Sequence, residues 1–294
     1  MLVRGILFAL SAGILWGLVP LYIKFVDAAD PYEIVAQRAF WSVVLLWGIC
    51  ATRRHLAEVR TMLTTPRIAG QFLVTTIFLT LNWGIYVYAV QSEQVVAAAL
   101  GYFIYPLCTV LLGMILLGER LDRWAWTAIG LVFVGVLTKA AMIQGVPWIS
   151  LMLAGSFSVY AVLRKSMGLD PTQGLFVETI MLAPLVIAFF GWMLAKDIPL
   201  FFGGGAGNVF LAITAGVITV VPLILFHAGN RDLSMTMASL IFYSNPTMQL
   251  LLGVLLFGEL FLLRDLWAFG FIWAGIAVYF STRQRVGRVP SPHV

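Results

Sequence analysis

Charge is what this sequence has least of. Asp, Glu, Lys and Arg together supply 11% of its 294 residues, where a soluble domain carries about 25%. A chain this poor in charge cannot cover itself with a polar surface, so a soluble globular fold is excluded and lipid must be the main solvent. Cysteine is almost missing. Cys50 and Cys108 each lie inside an apolar run, which excludes a disulfide framework and a thiolate metal site. There are three histidines, none with a partner at ligand spacing, so no residue pattern calls for a metal or any other cofactor. An integral-membrane enzyme acting on lipids would need carboxylates, histidines or a nucleophile clustered at the membrane surface, and the sequence offers no such cluster. No Gly-x-x-x-x-Gly-Lys-Ser/Thr segment occurs, so nucleotide hydrolysis does not drive the protein. The net charge of +5 is scattered over short connections, which points to membrane orientation and away from a nucleic-acid partner.

What is abundant is apolar length. Hydrophobic residues make up 61% of the chain, in runs long enough to cross a bilayer. In hydrocarbon only helices and closed barrels satisfy every backbone group. The runs lack the period-two alternation of barrel strands, so the fold class is all-α integral membrane. Ten spans are expected, over 4–26, 32–52, 70–90, 95–117, 124–141, 147–166, 173–195, 207–228, 234–257 and 265–282. Gly5, Ala9, Gly13 and Gly17 recur every four residues on the first span, a smooth face for close helix packing. The basic stretch 53–69 reads as a short surface helix, and Gly203-Gly204-Gly205 as a flexible connection. The tail 283–294, with Arg283, Arg285 and Arg288, reads as disordered and drawn to anionic headgroups. No connection is long enough for a soluble catalytic domain.

The chain also repeats itself. Pro106, Gly113, Gly118 and Glu119 reappear as Pro246, Gly253, Gly258 and Glu259, always 140 residues on, and Asp30-Pro31 reappears as Asp170-Pro171. Gly130 and Gly135 meet Gly270 and Gly275. At an average glycine usage of ~7%, that many coincidences at one offset have a chance on the order of one in 10^4. The repeats are 1–140 and 141–282. With the N-terminus cytoplasmic, Arg4, Arg53, Arg54, Arg60, Arg67, Arg120, Arg123, Arg164, Lys165, Arg231, Arg283, Arg285 and Arg288 are inside. Only Lys24, Lys139, Lys196 and Arg264 are outside, which orients the protein with both termini in the cytoplasm. Five spans per repeat is an odd number, so the second copy enters the membrane from the other face. The two five-helix repeats are inverted, about an axis in the membrane plane.

Polar groups inside spans are the candidates for function. Arg38 and Glu178 hold the same place in the two repeats, each about six residues into its span. At ~1.5 Å per residue each lies roughly 9 Å deep, from opposite faces of a ~30 Å core, which separates them by about 12 Å. Arg38 is read as biasing a pathway toward anionic groups and Glu178 as the carrier of a coupling proton, against the plainer reading that each snorkels or ties helices. Asn82 and Tyr86 share a helix face, with Trp83 beside them. Trp16, Tyr22, Tyr102, Tyr105, Tyr160, Tyr243 and Asn245 add rings and hydrogen-bonding tips that suit a flat organic solute. The alternative for tyrosines and tryptophans is the interfacial belt, which fits Trp124, Trp126, Trp148 and Trp267. Pro106 and Pro246, at equivalent positions, are candidate hinges or packing-fixed kinks. Glu119 and Glu259 read as turn and capping residues, and His227 as a satisfied structural residue.

These pieces resemble the drug/metabolite transporter superfamily, its ten-helix EamA-type family, and within it the RarD branch of chloramphenicol-sensitivity proteins. The resemblance is carried by Trp16-Gly17-Leu18-Val19-Pro20-Leu21-Tyr22, Arg38-Ala39-Phe40-Trp41-Ser42, Asn82-Trp83 with Tyr86-Val87-Tyr88, and Gly101-Tyr102-Phe103-Ile104 with Pro106. In the second half Tyr160, Arg164-Lys165, Glu178-Thr179, Thr219 and Pro222-Leu223 carry it. The chain departs from the branch at Ala98-Ala99 and at Leu240–Pro246. The resemblance implies a permease in a bacterial inner membrane, moving a small organic metabolite or drug through a central cavity bounded by spans 1, 3, 4, 6, 8 and 9. A proton or a counter-substrate would drive it. Uptake or exchange of amino acids or other metabolites competes with drug export, and a homodimer is compatible with the sequence.

Overall fold

The computed structural model describes residues 1–26, 29–92, 95–141, 148–256 and 263–285. Everything regular among them is helical. The elements are α1 (Leu2–Gly17), α2 (Val19–Phe25), α3 (Pro31–Thr52), α4 (Leu56–Thr64), α5 (Pro66–Gln91), α6 (Val95–Leu117) and α7 (Arg123–Ala140). Then come α8 (Trp148–Met167), α9 (Pro171–Ala195), a 3-10 turn at Phe201–Gly203, α10 (Ala206–Asp232), α11 (Met235–Phe242), α12 (Ser244–Leu255) and α13 (Leu263–Arg285). Eight stretches are long and apolar enough to cross a membrane, with α1–α2 and α11–α12 each counting as one. The helices α7 and α8 fall short of that standard for visible reasons. Arg123 and Lys139 stand near the ends of α7, and α8 carries Ser150, Ser156, Ser158, Tyr160, Arg164 and Lys165. The helix expected on the surface at 53–69 is α4. Glu259 and most of the basic tail lie outside the described residues.

Local chemistry explains the boundaries. Asp30 and Asp170 cap α3 and α9 alike: each carboxylate accepts from the second and third backbone N–H of its helix, at 2.8 and 3.3 Å and at 2.9 and 3.1 Å, with a proline next in the chain. Such a cap stabilises a helix by ~1 kcal/mol. Two spans expected as single helices are broken. At Leu18 the N–H is shared between Ile14 O and Leu15 O, at 3.1 and 3.2 Å, and Pro20 has no N–H to continue the ladder. At Tyr243 only a long 3.4 Å bond to Leu240 O remains, because Pro246 likewise gives nothing back to the turn before it. Pro106 behaves otherwise. It sits inside an unbroken α6, losing one bond without ending the helix, whereas Pro246 lies just after the break between α11 and α12.

Packing is close where small residues allow it. Gly5 lies against Asp232 and Leu233, Gly13 against Ser244 and Asn245, and Gly17 against Met248, so the small-residue face of α1 seats α11, α12 and the end of α10. Helix α7 lies on α13 through a reciprocal contact. A Cβ at Gly135 would stand 2.6 Å from Ala268 O, and one at Gly275 would stand 2.6 Å from Ala128 O. Helices α3 and α9 are antiparallel: Ala36 and Ala39 cluster with Leu182 and Val186, while Leu46 and Cys50 cluster with Leu175, Phe176 and Val177. Arg38 and Glu178 therefore sit toward opposite ends of the bundle. Ties between helix ends complete the frame. Glu33 accepts from Phe201 and Phe202 N–H, Gln173 meets His55 at 2.8 Å, and Arg4 and Lys139 pair with Asp232 and Asp265. Gly118, at φ +65°, turns Glu119 back to cap α11 through Met235 and Thr236 N–H.

Candidate functional site

Two turns into α3, Arg38 points between α5 and α10. Its Nε donates to Thr219 Oγ1 at 2.9 Å, and its guanidinium lies 5.4 Å from the Trp83 ring centre. The Thr219 hydroxyl is fixed by donating to Ala215 O at 2.8 Å, which leaves its lone pairs for Arg38. Tyr22, Tyr86 and Tyr102 stand close enough to feel the charge. The two terminal nitrogens of Arg38 have no hydrogen-bond partner among the described residues. Arg38, Trp83, Tyr86 and Tyr102 also keep part of their surface accessible. The result is a partly accessible guanidinium fork faced by aromatic rings. A fork of this kind matches a carboxylate or phosphate bidentately, and the rings match a flat apolar body.

Deeper in the bundle the helices meet on aromatic rings. Trp16 packs edge-on to Phe157 and Phe242 at 6.0 and 5.6 Å between ring centres, and tilted on Phe226 at 5.4 Å. Tyr105 joins them, and Phe157 stacks on Tyr160. Beyond this plug lies a buried polar cluster. Glu178 is 1% exposed. Its Oε1 accepts from Thr75 at 2.7 Å and pairs with Arg164 Nε at 3.1 Å, while its Oε2 accepts from Tyr160 at 3.1 Å. The Tyr160 oxygen is also 2.8 Å from His227 Nε2. The Arg164 Nε sits off the line of a good hydrogen bond, so the attraction to Glu178 is chiefly charge on charge. The guanidinium lies over Phe72 and over Gly174, where any Cβ would collide with it.

The structure thus gathers Arg38, Trp83, Tyr86 and Tyr102 in one place and packs Trp16 into the ring cluster of Phe157, Phe226 and Phe242. Tyr160 stands with Glu178 on the far side of the plug. Asn82 is buried, its amide donating to Leu153 O and Ser156 Oγ at 2.9 and 3.0 Å, so it ties α5 to α8. Tyr243 donates to Phe103 O at 2.8 Å, and Asn245 accepts from Gln249; both are buried in the packing of α11 and α12. Sequence reasoning placed Arg164 among the loop cations and set His227 aside as structural. The structure puts both in the Glu178 cluster. The signal for Arg164 was its position four residues after Tyr160, on the same face of α8. A separate cleft of about 580 Å³ opens beside the Leu18 break, between Leu15, Leu18, Tyr22 and Phe25 on one side and Phe210, Val217 and Pro222 on the other.

A profile of the EamA-like transporter family matches residues 3–138. An uncharacterized transporter of Vibrio cholerae is 35% identical over 280 residues, covering 94% of this chain and 91% of its own. The protein RarD of Streptomyces exfoliatus is 34% identical over 285 residues, 97% of this chain and 90% of that one. The chain belongs to the EamA-like transporter family. It is therefore an integral membrane protein of a family of transporters, not an enzyme, and relatives named RarD span most of its length. A solved crystal structure of a protein 18% identical superposes with a TM-score of 0.71, over 98% of this chain and all of that one; that likeness carries the fold alone. For this EamA-like transporter the Arg38 fork and the Glu178 cluster are, among the described residues, charged features within the bundle that call for a role.

Proposed function

We propose that the protein is a secondary transporter of a small organic solute with an aromatic or flat apolar body and an anionic group, working by alternating access. The observation that carries this reading is the guanidinium fork of Arg38, partly exposed and unpaired at its tips inside a bundle of apolar helices. An intramembrane charge is expensive and persists where it has a task. The fork takes the anionic group, Trp83, Tyr86 and Tyr102 take the ring, and the Trp16 plug separates the fork from the other face.

The mechanism requires ten spans in two inverted repeats, 1–140 and 141–282. Three features support that arrangement. The reciprocal seats of Gly135 and Gly275 are related by a shift of 140 at both ends of both contacts, as a two-fold axis demands. Trp41 packs on Gly216 while Met181 meets Thr76, again one contact written twice. The ties Glu33–Phe201, His55–Gln173, Arg4–Asp232 and Lys139–Asp265 each join helix ends that fall on one face when both termini are cytoplasmic. On that orientation Arg38 lies in the outer half and the Glu178 cluster in the inner half, so this conformation is open outward. Glu178 carries the coupling proton; the alternative driver is a counter-substrate.

Thermal shift of the protein in liposomes, against a panel of amphenicols, aromatic carboxylates and amino acids, tests the reading. An anionic aromatic hit should lose about 10- to 100-fold in affinity in Arg38→Gln, the ~1.5–3 kcal/mol of a charge-assisted hydrogen bond. Its uptake should follow an imposed pH gradient in the wild type and lose that dependence in Glu178→Gln. Undiminished binding in Arg38→Gln would remove the fork as the site, and uptake indifferent to the gradient would leave exchange.

A further inference from the structure

His227 is the member of the Glu178 cluster that the transport reading leaves unused. Three helices bring one residue each to a single line of hydrogen bonds: Glu178 from α9, Tyr160 from α8 and His227 from α10. Glu178 Oε2 to Tyr160 oxygen is 3.1 Å, and Tyr160 oxygen to His227 Nε2 is 2.8 Å. The phenol has one proton. It donates that proton to Glu178, so His227 Nε2 must carry hydrogen and donate to the phenol oxygen. The line is complete in this direction, and it is equally complete when reversed.

We infer that His227 is the relay through which the coupling proton reaches Glu178, with the Tyr160 phenol as the bridge; this rests on the coupling role proposed above for Glu178. In the step, His227 Nδ1 takes a proton from hydronium in the solvent, which leaves as water. The Nε2 proton passes to the Tyr160 oxygen, and the phenol proton passes to Glu178 Oε2. No heavy atom moves far, both hydrogen bonds survive with donor and acceptor exchanged, and the imidazole ends as the Nδ1–H tautomer. The net change is one proton on Glu178.

The entrance is visible in the structure. His227 lines a small crevice with Arg164, Lys165, Gly168, Asn230 and Arg231, whose volume of about 10 Å³ suits a single water. His227 Nδ1 makes no hydrogen bond to protein among the described residues. The charged groups around the ring are Arg164 and Lys165 of α8, Arg231 of α10 and Glu178 of α9; the nearby Asp232 is engaged by Arg4 of α1. A neutral Glu178 no longer compensates Arg164, whose Nε and Nη1 have no hydrogen-bond acceptor among the described residues. Delivery of the proton therefore releases the side chain that lies over Phe72 and Gly174 and closes this end of the bundle.

Infrared difference spectroscopy of the full chain in nanodiscs, after a pH jump, tests the relay without any substrate. The Glu178 carboxyl band is assigned by its loss in Glu178→Gln, and the jump spans about pH 5 to 8, where imidazole exchanges protons. Protonation of Glu178 should slow by roughly tenfold or more in Tyr160→Phe and His227→Gln, and not in Arg123→Gln, an exposed cation away from the cluster. Equal rates in all variants would overturn the relay while leaving Glu178 as the proton carrier. A wild type whose Glu178 band never changes would instead remove the coupling role itself. Tyr160→Phe keeps the ring that stacks on Phe157, so it decides the matter even if His227→Gln does not fold.

Discussion

Helices α1–α2 and α10 at one end, and α8 and α5 at the other, correspond by the offset of 140, and they could hardly differ more. Pro20 stands where the Glu178 cluster has Tyr160, Lys24 where it has Arg164, and Ala212 and Ala215 where it has Phe72 and Thr75. A cleft of about 580 Å³ opens between the first set, beside the Leu18 break; rings and an ion pair fill the other. The backbone follows the side chains. The broken α1–α2 packs on the broken α11–α12, whereas their counterparts α8 and α6 are unbroken and pack on each other. One end is bent and open and the other is straight and shut. The two ends are also shut by different chemistry. A bend can be reversed by repacking, but the Glu178–Arg164 closure is held by charge, and charge can be switched by a proton.

If charge holds the shut end, removing one partner should be the most damaging single change in the molecule. Arg164 would be left buried and uncompensated in Glu178→Ala, at a cost of ~3–5 kcal/mol, and the reverse holds for Arg164→Ala. Detergent-solubilised protein should melt well below wild type in either variant, and a double replacement by Leu and Met should recover most of the loss. Failure of the double variant to recover would mean that the cluster's hydrogen bonds, not its charges, close this end. A smaller effect is expected at Gly174. Adding a Cβ there pushes the guanidinium off Glu178, at ~1–3 kcal/mol of overpacking. Alanine at Gly155 or Gly191, where the space is open, should instead stabilise by up to ~1 kcal/mol. Melting curves of the three variants give the sign at each position.

The outline of the fold was legible because it follows from apolar length. Every expected span coincides with a helix or a broken helix to within a few residues, and the surface helix α4 lies where its basic stretch suggested. The two breaks were not legible. A proline permits a bend without compelling it: Pro106, Pro184 and Pro222 sit inside unbroken helices, while Pro20 and Pro246 do not. Arg38 stood out because a lone cation in an apolar run has few bland explanations. Arg164 did not, because Lys165 follows it near a helix end and the two read as a basic loop. His227 was hidden for a related reason: its partners Tyr160 and Glu178 lie on other helices, and no spacing within one segment could announce them. Asn82 was conspicuous as a polar residue in mid-span, and the structure shows its amide occupied by Leu153 and Ser156.

The smallest effect is the one that tests the comparison itself. Leu18 and Ser158 are equivalent by the offset of 140, yet Leu18 borders the cleft while Ser158 is fully buried, its hydroxyl near Thr109 and Tyr105 O. Cysteine is smaller than Leu18 at the cleft's edge and close to Ser158 in size, so neither replacement overfills its site, after Cys108→Ala removes the partly exposed native thiol. In this conformation a membrane-permeant maleimide should modify Leu18→Cys about tenfold or more faster than Ser158→Cys, since thiolate reagents need access first. The same pair of variants then reports the alternation. Under conditions that protonate Glu178, the shut end should loosen, the Ser158→Cys rate should rise and the Leu18→Cys rate should fall. A ratio that stays fixed while transport proceeds would mean that the two ends do not exchange shapes. The asymmetry between the repeats would then be a permanent feature of the fold and not one of its two states.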